Sequence, residues 1–340
     1  MSAPRKRKRT SESSSAKKEL AGSADAQSAS LIKGGERHTN LWYDDGNIVL
    51  STGNMLFRVH RSILSRHSPV LADITSAYSP GRAASSSEDA DIDGCPIVHL
   101  MEDSEDITHM LHGIYDYRHY ADRKQLPFAV VSAWYRMGDE YEVTYLRDAA
   151  LARLAACYPT TLAAYDKMQL DDPDRPDRPI AWSPSQDYDV ALFAQNQALH
   201  PLLRTALYEC CAGPPGNLVI AVGPGASLDA GILQRLFVGR GELARQRAQQ
   251  ALSFLEEPRQ TCRKSSACRA ATKQMVYTAY RVGMLGDSAR ALDCQDDFIG
   301  AAATEGICEQ CRALLQSKHR EGRERVWENL YATFGIPEEL

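Results

Sequence analysis

The sequence predicts an α+β fold: a small hairpin-based sheet flanked by helices, followed by an all-helical C-terminal domain. Two observations carry this. In residues 45–64, DGNIVLSTGNMLFRVHRSIL, Ile48 and Leu50 share one parity and so do Phe57 and Val59, as two strands with one buried face require. From Asp187 onward, apolar residues instead recur at helical spacing, with no second run of alternation.

The hairpin consists of a strand from Asn47 to Ser51, a turn at Thr52-Gly53-Asn54 and a strand from Met55 to His60. The Gly-Asn pair supplies the positive φ a tight reversal needs. His38 to Asp45 leads in, placing Leu41, Trp42 and Tyr43 against the hairpin. A helix opens at Arg61 and ends near 65–68, and Ser68-Pro69 starts the next, with Ser as cap and Pro in the first turn. Residues 79–95 form a flexible insertion by composition, and Ile97 to Leu100 a short strand. Ile107, Met110, Leu111, Ile114 and Tyr115 lie at intervals of 3, 4, 7 and 8 from the first, an amphipathic helix with acids at its start. Further helices follow at 128–142, 143–157 and 160–170.

Asp171 to Pro184 holds four prolines and four aspartates and breaks helical structure, as a linker does. The helical segments beyond it are 188–211, 228–237, 239–255, 266–286, 294–316 and 319–333. A Gly/Pro loop at 213–227 intervenes, in which Leu218 to Val222 is a short strand or a buried loop. Ile299, Ala303, Ile307 and Leu314 mark one apolar stripe; Val326, Trp327, Leu330, Tyr331 and Phe334 mark a stronger one. The organisation is therefore 1–37 as a disordered basic, Ser-rich tail, 38–160 as the α+β domain, 161–187 as helix end and linker, and 188–340 as the helical domain.

Length, composition and charge narrow the function. A chain of 340 residues suffices for about two domains with real cores. The net charge of −5 gives no basic folded surface for direct nucleic-acid binding. No apolar run suits a membrane span or a secretory signal, so an intracellular place is expected, in nucleus or cytoplasm. The nine cysteines are then read as reduced thiols. Arg5-Lys6-Arg7-Lys8-Arg9 is a candidate nuclear-import signal or, equally, a solvated basic tail, which phosphorylation of nearby serines would weaken.

No catalytic pattern emerges. His60 follows the hairpin without a nucleophile motif. Gly223-Pro224-Gly225 fits neither a nucleophile elbow nor a phosphate loop. His109, His112 and His119 lack ligand spacing, and Asp171, Asp172, Asp174 and Asp177 do not fit a calcium loop. Cys308-Glu309-Gln310-Cys311 has CxxC spacing, and with Cys262 and Cys268 could hold zinc. Three points favour small thiols in a helical core instead. Cys308 and Cys311 fall within an expected helix, five residues separate Cys262 from Cys268, and Cys294, Cys210 and Cys211 crowd the ligand count. No metal or cofactor is therefore expected.

Several stretches, in order, resemble a BTB/POZ domain: Asp45 to Leu50, Phe57 to Leu71, Val98-His99-Leu100 followed by the 107–115 helix, and Met137-Gly138-Asp139-Glu140-Tyr141-Glu142-Val143 running into Leu146-Arg147. The remainder is similar to the helical tail of BTB proteins from mushroom-forming (basidiomycete) fungi, at Pro201 to Cys210, Leu236 to Arg240 with Leu243, and Trp327 to Pro337. The resemblance implies a small sheet flanked by helices that associates proteins without catalysis, by homodimerisation or by recruiting partners. Alternatives within it are a substrate adaptor on a cullin scaffold of a ubiquitin ligase, and a nuclear regulator recruiting corepressor-like partners. Asp45, His60 and Arg61 would match the family's polar signature and, with Phe57 and Leu64, shape the fold and its dimer groove. The 79–95 insertion departs from compact members and would alter the cullin-facing side. Kelch repeats and zinc-finger arrays are absent from the sequence.

Overall fold

The computed structural model describes residues 35–76, 92–117, 120, 123–170, 178–213, 229–255, 262, 265–286, 288–302 and 306–337. The basic run Arg5–Arg9, residues 79–91 of the 79–95 insertion, the first half (171–177) of the 171–184 linker and the loop holding Leu218 to Val222 lie outside these residues. Two compact units emerge. One holds the chain up to Arg123 together with Ala129–Leu151, and the other holds Lys124–Phe128 and Ala152–Leu340.

The first unit is built on a four-stranded sheet of order β1-β3-β2-β4. Strand β1 spans Glu36–Trp42, β2 Ile48–Thr52, β3 Met55–Val59 and β4 Ile97–His99. The hairpin is as expected: β2 and β3 pair antiparallel, Ile48 with Val59 and Leu50 with Phe57. At the turn, Gly53 alone of the two loop residues has positive φ, 54°, the pattern of a type II′ reversal. Two features differ from expectation. The lead-in is itself a strand, β1, parallel to β3, and it begins inside the stretch read as tail. Its residues do not alternate between apolar and polar, so period gives no strand signal. And β2 has no solvent face, because all five of its residues are buried. Ile48, Leu50, Phe57 and Val59 fill one side, while Val49, Leu56, Cys95 and Ile97 form a second small core on the other.

Helices then follow in the expected order: α1 Arg61–His67, α2 Pro69–Ser76, α3 Ser104–Tyr115, α4 Phe128–Glu140 and α5 Thr144–Cys157. Ser68 caps α2, its Oγ accepting from Leu71 N–H at 2.9 Å and donating to Tyr141 O at 2.6 Å. The Asp103 carboxylate caps α3 by accepting from Glu105 N–H at 2.8 Å, leaving Ile107, Met110, Leu111 and Ile114 buried. Trp134, 1% exposed, satisfies its indole N–H on His109 O at 3.0 Å, as a buried tryptophan must.

Apart from an isolated bridge between Leu126 and Ile180, the regular elements among the second unit's described residues are all helices. That bridge shows the end of the expected linker to be packed: Ile180 is fully buried. Its helices are α6 Leu162–Leu170, α7 Gln186–Asn196, α8 His200–Ala212, α9 Ala230–Gln246, α10 Ser265–Arg281, α11 Asp296–Ala302, α12 Glu309–Glu328 and α13 Leu330–Thr333. Four boundaries depart from the sequence reading. The 188–211 segment is two helices, because Pro201 cannot continue α7 and instead opens α8. The 228–237 and 239–255 segments are one helix as far as Gln246, running on through a π turn at Arg247–Ala251. The 294–316 segment breaks after α11, and Gly306, at φ 103°, turns the chain into α12. Finally, α12 runs on to Glu328, through the expected start at 319. Leu314 is exposed while Leu315 is buried, because α12 restarts the helical phase.

Helix α12 is tied at several levels. His319 Nδ1–H donates to Ala251 O and its Nε2 accepts from Gln295 N–H, both at 2.9 Å. Arg323 donates from Nε to Leu292 O at 2.8 Å and pairs with Asp166. Among the described residues no helix is long and apolar enough to cross a membrane.

The Met137–Val143 stretch shows why one glycine matters. A Cβ on Gly138 would stand 2.7 Å from the backbone N of Arg147 and 3.0 Å from its Cα, and backbone cannot yield as a side chain does. Gly138→Ala gains about 1 kcal/mol of helix propensity against about 1–3 kcal/mol of overpacking. The expected outcome is a net loss of up to about 2 kcal/mol, read by calorimetry as a lower unfolding midpoint.

Candidate functional site

Of the residues singled out by the sequence, Phe57 and Leu64 are fully buried and belong to the core. Asp45, His60 and Arg61 sit where the hairpin meets α1. His60 occupies the N-cap position of α1 without capping it through its side chain. Its Nε2 lies 3.1 Å from Asp45 Oδ1. Tyr115, from the last turn of α3, closes the other side: its hydroxyl accepts from His60 N–H at 2.7 Å and lies 3.2 Å from His60 Nδ1. Tyr43 stacks on Tyr115 with centroids 4.9 Å apart. Asn47 Oδ1 accepts from Arg61 N–H at 2.9 Å, holding the first turn of α1.

This node is electrostatically quiet. Burial pushes the Tyr115 hydroxyl up to about 12, so it remains a neutral hydrogen-bonding group. The hydrogen bond with His60 holds the Asp45 carboxyl below its usual range. Beside the node runs an open groove lined by Ser62, Ile63, Arg66, His67, Ile114 and Tyr115. Among the described residues, the groups paired with or stacked near His60 are Asp45, Tyr43 and Tyr115, and no serine or cysteine is hydrogen-bonded to its ring. In the sequence Tyr115 counts only as an apolar helix position, since period does not distinguish a buried hydroxyl from a buried methyl.

The second unit contains a different constellation. The sulfurs of Cys262, Cys268, Cys308 and Cys311 all lie within 4.8 Å of one another, with Cys262 Sγ and Cys308 Sγ 3.8 Å apart. Two helix starts bring them together. Cys262 precedes α10 and Cys268 lies in its first turn; Cys308 is the N-cap of α12 and Cys311 lies in its first turn. The expected helix across 294–316 would have placed Cys308 mid-helix, and the break at Gly306 removes that objection. Amides at the start of α12 point at sulfur. Cys308 N–H donates to Cys268 Sγ at 3.3 Å, and Cys311 N–H bonds Cys308 Sγ, the main reason its thiol is drawn down to about 7. Burial pushes the Cys268 and Cys311 thiols up. Cys210, Cys211 and Cys294 are not part of this cluster.

A third group of titratable residues lies within the helical core. Tyr158 donates its hydroxyl to Asp187 Oδ1 at 2.8 Å. Burial first, and the nearby Asp187 carboxylate second, raise Glu209 from 4.5 to about 7. Among the described residues its Oε1 has no hydrogen-bond partner. Neither Asp187 nor Glu209 lines the groove beside His60.

No family model, curated protein or solved structure matches the chain.

Two outcomes follow from these sites. Tyr115→Phe leaves the His60 amide without its acceptor, so it should cost about 1–2 kcal/mol in urea unfolding. Asp45→Asn, at an exposed side chain, should leave the urea midpoint essentially unchanged, because solvent screens that pair. For Glu209, the native chain keeps the proton up to about pH 7 whereas the unfolded chain releases it near 4.5. Stability therefore falls as pH rises through that window. Glu209→Gln should raise stability by about 2–3 kcal/mol at pH 8 and leave it unchanged at pH 4, as read by thermal unfolding across pH.

Proposed function

We propose that the sheet-bearing unit is a BTB/POZ-like protein-association module, and that the chain acts without catalysis of its own, through self-association or partner recruitment. The observation that carries this reading is the order and placement of the signature stretches. The 45–60 hairpin leads directly into α1, Ser68-Pro69 caps α2, and β4 joins the sheet beside β2 before α3. The Met137–Val143 stretch closes α4 onto the start of α5. The polar signature supports the same reading, because Asp45, His60 and Arg61 spend their hydrogen bonds holding hairpin, α1 and α3 together. Residues so committed shape a surface; they are not poised to move a proton. The surface they shape is the groove containing Ile63 and Arg66.

Light scattering behind size-exclusion chromatography tests this on the full chain. At tens of micromolar the expected mass is twice the 37.6 kDa of one chain, and Ile63→Glu on the groove wall should return it to one while preserving the thermal midpoint. A wild-type chain that stays strictly monomeric counts against self-association. Affinity purification that repeatedly recovers cullin peptides would place the recruitment role on a ubiquitin-ligase scaffold.

A further inference from the structure

We infer that Cys262, Cys268, Cys308 and Cys311 form a closed, structural tetrathiolate zinc site that joins the N-terminal ends of α10 and α12. Four sulfurs held tetrahedrally at a Zn–S distance of about 2.3 Å stand about 3.8 Å apart. The Cys262–Cys308 separation is 3.8 Å and every other pair lies within 4.8 Å. A disulfide would need a separation of about 2.0 Å. A cubic iron–sulfur cluster interposes iron and sulfide between its cysteines and spreads them beyond this spacing. The spacing suits a single ion.

Chemistry selects the metal. The cluster offers only sulfur donors, which suit zinc and reject calcium and magnesium. All four positions come from the protein, so no coordination site remains for substrate, as in structural rather than catalytic zinc centres. Binding converts four thiols to thiolates and releases four protons to solvent. The resulting net negative charge is met in part by a backbone donor, Cys308 N–H on Cys268 Sγ at 3.3 Å. Amides at a helix start are the outer-shell partners such a centre needs.

Packing alone does not account for the cluster. Buried single thiols serve as small apolar residues, and Cys268 and Cys311 are buried as that role requires. Cys262 and Cys308, however, are only half-buried, and they complete the tetrahedron from the solvent side. Behind it lies a small apolar core of Leu252, Phe254, Met275, Ile299, Ile307 and Leu315. The ion would close a span of 46 residues between Cys262 and Cys308, bracing that core.

The test uses the full-length chain produced with zinc in the medium and then desalted. Elemental analysis should give about one zinc per chain, and X-ray absorption at the zinc edge four sulfur neighbours at about 2.3 Å. The pair Cys308→Ala and Cys311→Ala should lose the zinc, and Cys210→Ser with Cys294→Ser should keep it. Folded wild-type protein that holds no stoichiometric zinc overturns the inference. So does a zinc shell with fewer than four sulfurs, or a disulfide among these cysteines found by mass spectrometry of protein purified without reductant. Should the alanine pair fail to fold, the wild-type absorption spectrum decides alone.

Discussion

Strand β2 lies between β3 and β4 with all five residues buried, so apolar groups must cover both faces of the sheet. One face takes Ile48 and Leu50 with Phe57 and Val59; the other takes Val49 with Leu56 and Ile97, the latter carried on the strand parallel to β2. A buried strand must also pair both of its backbone edges, which is what brings β4 to it across some forty residues of sequence. The hairpin thus fixes where α1 begins and where α3 must return, and His60 and Tyr115 meet at that join. The groove beside them is a consequence of this arrangement and needs no further device.

In the helical unit the corresponding constraint is where helices stop. Pro201, Gly306 and the π turn at Arg247–Ala251 each set a boundary that apolar spacing alone does not reveal. The break at Gly306 matters most, because it turns a cysteine pair inside a helix into one at a helix start. There, free amide groups face sulfur and α10 can bring two more thiols to the same place. Helix α12 is held along one face by His319 and Arg323, whose hydrogen bonds satisfy the carbonyls of Ala251 and Leu292 and the amide of Gln295. A neutral His319 is built into this clamp, since Nε2 must accept while Nδ1 donates; burial lowers its pKa accordingly.

Much of the first unit was legible in the sequence because its signals are local. Alternation located β2 and β3, Gly53 located the turn, Ser68 located the start of α2, and spacing with a run of acids located α3. What went unread was non-local. Strand β1 owes its form to pairing with β3, and β2 lost its expected solvent face through β4 and the second small core. The site residues divide in the same way. Asp45 and His60 could be picked out, but the hydrogen bond that makes Tyr115 their partner joins residues 55 apart, beyond the reach of any periodic pattern.

By itself, then, the sequence determined the α+β and helical halves, the hairpin and most helices of the chain, since each rests on side-chain period and on capping within a few residues. Only the tertiary structure decided which cysteines share a site. Cys262 and Cys268 are separated by an unusual spacing and the second pair lies 40 residues farther on, so proximity depended on two helices starting at one point. Spacing along a chain reports on one helix or strand at a time; convergence of donors from two helices is a property of their packing.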